Sequence, residues 1–274
     1  MPDNRPIGVF DSGLGGLTVV KELKRLMPNE NIIYFGDTGR VPYGNRSNEI
    51  VRRYAREAEA FLLTHDVKMI VAACGTVSSV AYMTAKELPV PFIEVVTPAA
   101  DSAVAATKNG RIGVIGTPVT VKSRSHARAI LKSLPDAVII ANECPLFVPL
   151  VEEGWISPDD PVTRTTAERY LKPICEGKAD TVIMGCTHYP ALREVFAGIL
   201  GETVTLINPG TATAERVRRD LESRGQQAEG NGVCRYYVSD RVDTFSKIAK
   251  ILLGEDISEA TEQIDLYDYI QSEK

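Results

Sequence analysis

"RPIGVFDSGLGGLTVVKEL", Arg5 to Leu23, joins a short apolar run to a glycine-rich turn and then to a segment with apolar residues at helical spacing. Apolar runs of about four to eight residues that pass through small polar residues into amphipathic segments are the pattern of βαβ units and a mostly parallel sheet. The pattern recurs along the chain. "NIIYFGD" leads into "TGRVPYG" and "EIVRRYAREAEAFLLTH", "VKMIVAAC" into "GTVSS", and "ADTVIMGC" into "THYPALREVFAGIL". The opening stretch also has an echo in "GRIGVIGTPVTVKSRSHARAIL", Gly110 to Leu131, and each copy is followed further on by an apolar run that ends in a cysteine, Cys74 or Cys186.

The expected fold is therefore α/β, with two similar doubly wound, mostly parallel-sheet domains and the active site in the cleft between them. Residues 1–97 plus 209–274 are expected to form the first domain and residues 98–208 the second, with crossings near "FIEVVTPAADSA" and "LINPGTATAERV". The C-terminal "EDISEATEQIDLYDYIQSEK" reads as an acidic surface tail.

Bulk properties narrow the options. The 274 residues are 44% hydrophobic and 24% charged, as in an ordinary soluble domain with a full core. A net charge of −5 and a pI near 5.4 give no electrostatic reason to expect nucleic acid or an anionic membrane as partner. No apolar signal segment opens the chain, and no uncharged apolar stretch approaches about 18 residues, so a cytoplasmic location is the expectation. Cys74, Cys144, Cys175, Cys186 and Cys234 are odd in number and widely spaced, which favours reduced thiols over a disulfide framework. No C-x-x-C is present, and no metal site is expected.

Ligands of open parallel sheets bind outside the carboxyl ends of the strands. The polar residues at those ends are Asp11, Ser12, Asp37, Tyr43, Cys74, Thr76, Cys186, Thr187 and His188. Gly13, Gly15 and Gly16 lie in a strand-to-helix turn whose N–H groups could meet an anion. A dinucleotide fingerprint needs glycine where Thr18 stands, and a phosphate loop needs lysine where Leu14 stands, so a small carboxylate fits this turn better than a nucleotide. Cys74 and Cys186 each close an apolar strand, next to a helix N-terminus that favours thiolate. Cys144, Cys175 and Cys234 read as structural. Two facing thiols suit a particular chemistry: one removes a proton from a carbon acid and the other returns one to the opposite face, with Asp11 and His188 placed to tune them.

At this point the residues resemble a known family. "IGVFDSGLGGLTVVKEL", "YFGDTGRVPYG", "AACGTVSS", "PLFVPLVEEG" and "GCTHYP" together are similar to the glutamate racemases of the cofactor-independent aspartate/glutamate racemase family. The resemblance implies two α/β domains with the site between them, and interconversion of L- and D-glutamate by two cysteines without cofactor, metal or nucleotide. It implies catalytic roles for Cys74 and Cys186, the first acting on D-glutamate and the second on L-glutamate. Asp11 and His188 would assist them, and Glu152 would orient His188. Ser12, Tyr43, Gly44, Thr76 and Thr187 would hold the substrate, together with Gly75. The resemblance further implies a homodimer whose D-glutamate feeds peptidoglycan synthesis; some members have a second role against DNA gyrase, and nothing in this sequence shows one. Some members carry an N-terminal extension tied to activation by a cell-wall precursor; here the first strand begins by about Ile7, which points to an enzyme without that regulation.

One residue departs from the family pattern. The family usually has asparagine after the first cysteine, and this chain has Gly75. Loss of a hydrogen bond to a charged group costs about 1.5–3 kcal/mol, so Gly75 implies weaker binding, a rearranged contact, or a different acidic substrate. The rival readings are racemisation of aspartate or another amino acid, and a non-catalytic module that binds small carboxylates.

Overall fold

The computed structural model describes residues 2–80 and 87–270. Its strands form two parallel sheets. In the first, β1 (Ile7–Asp11), β2 (Ile32–Gly36), β3 (Met69–Ala72) and β4 (Phe92–Glu94) run in the order β2-β1-β3-β4. In the second, β5 (Arg111–Gly116), β6 (Val138–Glu143), β7 (Thr181–Met184) and β8 (Thr205–Ile207) run in the order β6-β5-β7-β8. The wiring is the same in both. Ile7 pairs with Ile32 and Met69, and Ile112 pairs with Ile139 and Thr181, so the echoed segments supply the second strand of each series. The first sheet continues past β2 with β9 (Cys234–Val238) and β10 (Thr261–Gln263).

Burial explains the near-continuous apolar strands, because a parallel sheet carries helices on both faces. Side chains alternate between the faces. Ile7, Val9 and Tyr34 pack with Leu17, Val20 and Leu23 of α1 (Leu17–Leu26). Phe10, Phe35 and Ile70 pack with Val51, Ala55 and Phe61 of α2 (Asn48–Leu63) on the other face. In the second sheet, Ile112, Val114 and Ile183 pack with α4 (Val96–Ala106) and with Ile130 of α6 (Ser125–Ser133). Ile115, Val182 and Met184 pack with α8 (Pro161–Glu176) and α9 (Arg193–Leu200). That last cluster is continuous with the α1 face of the first sheet, so one apolar core runs through both halves.

The return crossing is α10 (Pro209–Arg224), which begins with Asn208 accepting a hydrogen bond from the Gly210 amide and ends on Gly225 at φ 63°. Both are standard helix-end chemistry. The acidic C-terminal stretch departs from the expected surface tail. Ile257, Ile264 and Leu266 are buried, β10 pairs with β9, and α11 (Leu266–Ile270) packs on α2. Apolar residues spaced among the acidic ones were the overlooked signal; the last four residues lie outside the described ones. Among the described residues no helix is long and apolar enough to cross a membrane.

Candidate active site

The strand ends converge as the repeated wiring requires. Cys74 lies two residues past the end of β3, and Cys186 two residues past the end of β7, the equivalent strand. Ser12 follows β1 as Thr117 follows β5. Every residue named from the sequence as catalytic or substrate-binding lines one cavity of about 340 Å³: Asp11, Ser12, Tyr43, Gly44, Cys74, Gly75, Thr76, Glu152, Cys186, Thr187 and His188.

On the first side, Cys74 is buried immediately before α3 (Gly75–Val80), and its thiol donates to Ser12 Oγ at 3.3 Å. Burial pushes this thiol up to about 12, the negative charge of Asp11 adds to the effect, and the Ser12 hydrogen bond opposes it. This corrects the expectation that the helix end favours thiolate at Cys74: desolvation in a closed site outweighs the dipole of one short helix. Burial also lifts Asp11 above the usual carboxylate range, against the pull of the His188 charge and of the Gly16 and Gly13 amides. A carboxyl raised in this way is a better proton acceptor for a thiol.

On the second side, His188 bridges two groups. Its Nδ1 lies 3.8 Å from Cys186 Sγ, and its Nε2 lies 3.1 Å from Glu152 Oε1, at the end of α7 (Phe147–Glu152). Burial alone would lower the imidazole; hydrogen bonds to Cys186 and Glu152 overcome it and push His188 up to about 10. The ring therefore holds a proton at neutral pH, between a sulfur and a carboxylate.

The glycine turn serves a carboxyl group of the chain itself. The Gly13 amide donates to Asp11 Oδ2 at 3.1 Å, and the Gly16 amide also serves Asp11. A Cβ on Gly15 would stand 2.4 Å from Thr187 Oγ1 and 2.5 Å from His188 Nδ1. Bare glycine lets the two halves touch here, and Thr18 Oγ1 fastens them by donating to the Thr187 carbonyl at 2.9 Å. Gly75 behaves alike: a Cβ there would lie 2.5 Å from the Gly185 carbonyl oxygen. The space that a side chain would need at Gly75 is taken by the backbone of the other half.

Tyr43 lines the cavity, but its hydroxyl is bound to Asp37, whose other oxygen accepts from Ser239 at 2.7 Å. Asp37 is fully buried and holds Tyr43 from behind rather than lining the cavity. The sequence reading missed Thr117 and Thr120. Thr117 Oγ1 lies 3.3 Å from Thr76 Oγ1 and 3.0 Å from Thr120 Oγ1, a hydroxyl chain from one half to the other. The echo could have found Thr117, since it stands where Ser12 stands in the first copy.

Two four-strand series of identical wiring that bring two cysteines, a carboxyl and a histidine to one cleft define a class of protein suited to acid–base chemistry at carbon. The comparisons with known proteins say which. The family model described as Asp/Glu/Hydantoin racemase matches residues 7–217. A glutamate racemase of Syntrophus aciditrophicus is 43% identical over 256 residues, covering 92% of this chain and 94% of that protein. The solved structure of glutamate racemase isoform RacE1 from Bacillus anthracis superposes with a TM-score of 0.92 at 35% identity, covering 96% of this chain and 98% of that one. A glutamate racemase from Francisella tularensis solved in complex with D-glutamate has a TM-score of 0.89 at 36% identity, covering 97% and 100%. The chain belongs to the Asp/Glu/hydantoin racemase family. It is an isomerase that groups with the glutamate racemases.

Proposed function

We propose that the protein interconverts L- and D-glutamate by two-base proton transfer between Cys74 and Cys186. The observation that carries this reading is the equivalent placement of the two thiols, each two residues beyond an equivalent strand and both facing one cavity. One sulfur, as thiolate, takes the α-proton from one face of the substrate. The opposed thiol gives a proton to the other face, and the next turnover runs in reverse. Asp11 receives the Cys74 proton and His188 stores the proton for Cys186, with Glu152 keeping the imidazole charged. Ser12, Thr76, Thr117 and Thr187 hydroxyls and the backbone around Gly44 and Gly75 hold the carboxylates and ammonium. No electrons pass between substrate and enzyme, so the step balances with the two thiols alone. The glutamate preference is supported by the relative solved with D-glutamate.

We further propose that residues 1–97 plus 209–274 and residues 98–208 act as two domains, in keeping with the strand membership of the two sheets. A cytoplasmic homodimer supplying D-glutamate to peptidoglycan synthesis rests on family resemblance. The test is to incubate purified protein separately with the enantiomers of glutamate and of aspartate and to follow optical rotation. Racemisation of glutamate well ahead of aspartate is expected. Aspartate turned over faster, or neither substrate turned over, would overturn the assignment.

A further inference from the structure

A second cavity, of about 230 Å³, lies beside the catalytic cleft in the second half. Aliphatic side chains of Val114, Val121, Leu131 and Ile139 form much of its wall, and Thr120, Arg124 and His126 interrupt it. Three observations set this cavity apart from a packing gap.

His126 is only 2% exposed, and its Nδ1 is buried with no hydrogen-bond partner among the described residues. Buried polar atoms are nearly always satisfied, so an orphan on a ring that borders a cavity is a reason to ask what that ring meets. Burial pushes His126 down to about 4, which leaves a neutral ring with one donor and one acceptor near pH 7.

Arg124 is the second. It sits between α5 (Pro118–Ser123) and α6 at φ 56°, a left-handed conformation uncommon outside glycine. Arg124 is exposed, forms no ion pair among the described residues, and is one of the residues that line the cavity. An uncommon backbone conformation at an unpaired cation beside a cavity is a reason to look for an anion there.

The third is the wall itself. Thr120 lines both cavities, and the His126 ring packs on Gly185, where an added Cβ would stand 3.3 Å from Cε1. Gly185 immediately precedes Cys186.

We propose that this cavity is a second ligand site for a small monocarboxylic acid with a branched aliphatic or aromatic body. The carboxylate lies on Arg124, a ring N–H of His126 donates to it, and the body covers Val114 and Ile139. Glutamate does not suit the site, because its second carboxylate and its ammonium would meet aliphatic wall without partners. The volume is below the roughly 300–1,000 Å³ of pockets for drug-sized ligands, which restricts the ligand to a small acid. The assignment does not depend on the racemase reading, since its test is binding.

Benzoate is the probe, titrated into the full-length protein and followed by ligand-observed NMR with and without saturating glutamate. Two variants accompany it. Arg124→Asn removes the charge with a residue that tolerates the left-handed backbone, and Ala127→Leu on α6 fills the cavity without removing a polar group. Saturable benzoate binding that glutamate does not displace, weakened about tenfold or more in both variants, is the expected result. Absence of saturable binding, displacement by glutamate, or affinity unchanged in either folded variant would overturn the proposal. Melting temperatures report folding, and the exposed Arg124 position keeps the test readable if Ala127→Leu does not fold.

Discussion

A proton held between a sulfur and a carboxylate is the feature that sets the pH behaviour of the site. His188 is pushed up to about 10, so its folded state binds a proton more tightly than the unfolded chain. The sign follows from linkage: the stability contributed by the charged imidazole is fully present below its ordinary value near 6.5 and is lost as pH rises through about 10. Catalysis should share that alkaline limb. Glu152→Gln keeps the acceptor oxygen and removes its charge; the Glu152 side chain is 34% exposed, so the low end of the range for a charged hydrogen bond applies. The alkaline limb of kcat/KM should move down by about one pH unit, and a pH–rate profile that does not move would refute the role given to Glu152. Gly75 offers a second residue-level test. Because a Cβ there would lie 2.5 Å from the Gly185 carbonyl, Gly75→Ala should cost about 1–3 kcal/mol in denaturant unfolding and lower kcat/KM as well. A neutral outcome would mean that the two halves are not in contact at this point in solution.

Elements placed these residues, and most of the elements could be read in the chain. Strand, turn and helix around Arg5–Leu23 carried both the parallel sheet and its repetition, since buried parallel strands are apolar throughout and the turn residues mark their ends. Cys74, Cys186, Asp11 and His188 were legible because each falls just past such an end. What could not be read depended on contacts between distant segments. Gly15 and Gly75 look like loop glycines until the opposite backbone is seen against them, and the hydroxyl of Tyr43 looks free until Asp37 is found behind it. Cys74 next to a helix start promised a thiolate, but burial, which sequence does not give, raised it instead. Lys68 was also invisible. It precedes β3, is fully buried, and reaches Glu30 at 2.6 Å and the carbonyls of Asp3 and Gln226 at 2.6 and 2.8 Å. It thereby ties three separated loops at the amino ends of the strands of the first sheet. Lys68→Met should destabilise the fold by about 3–5 kcal/mol, because it leaves Glu30 buried without a cation. Combining it with Glu30→Leu should recover much of that loss in urea unfolding. A double variant as unstable as the single one would show that the carbonyl contacts, not the ion pair, matter.

At the scale of the whole molecule, two similar half-proteins share one apolar core and meet at a cleft through the turns that follow their strands. The repeat gives each half one cysteine at the same place, two residues past an equivalent strand, and both line the one cavity. On the proposed mechanism, two-sided proton transfer follows from this duplication, and it makes a demand on both thiols that a one-base enzyme would not meet. Cys74→Ala and Cys186→Ala, each compared with the unchanged protein in deuterium oxide, test this most directly when both enantiomers of glutamate are supplied and both inversion and α-deuterium incorporation are followed. The two-thiol mechanism predicts that each variant loses inversion by orders of magnitude while remaining folded, and that neither carries deuterium from one enantiomer into the other. Inversion at the unchanged rate in either variant would contradict it.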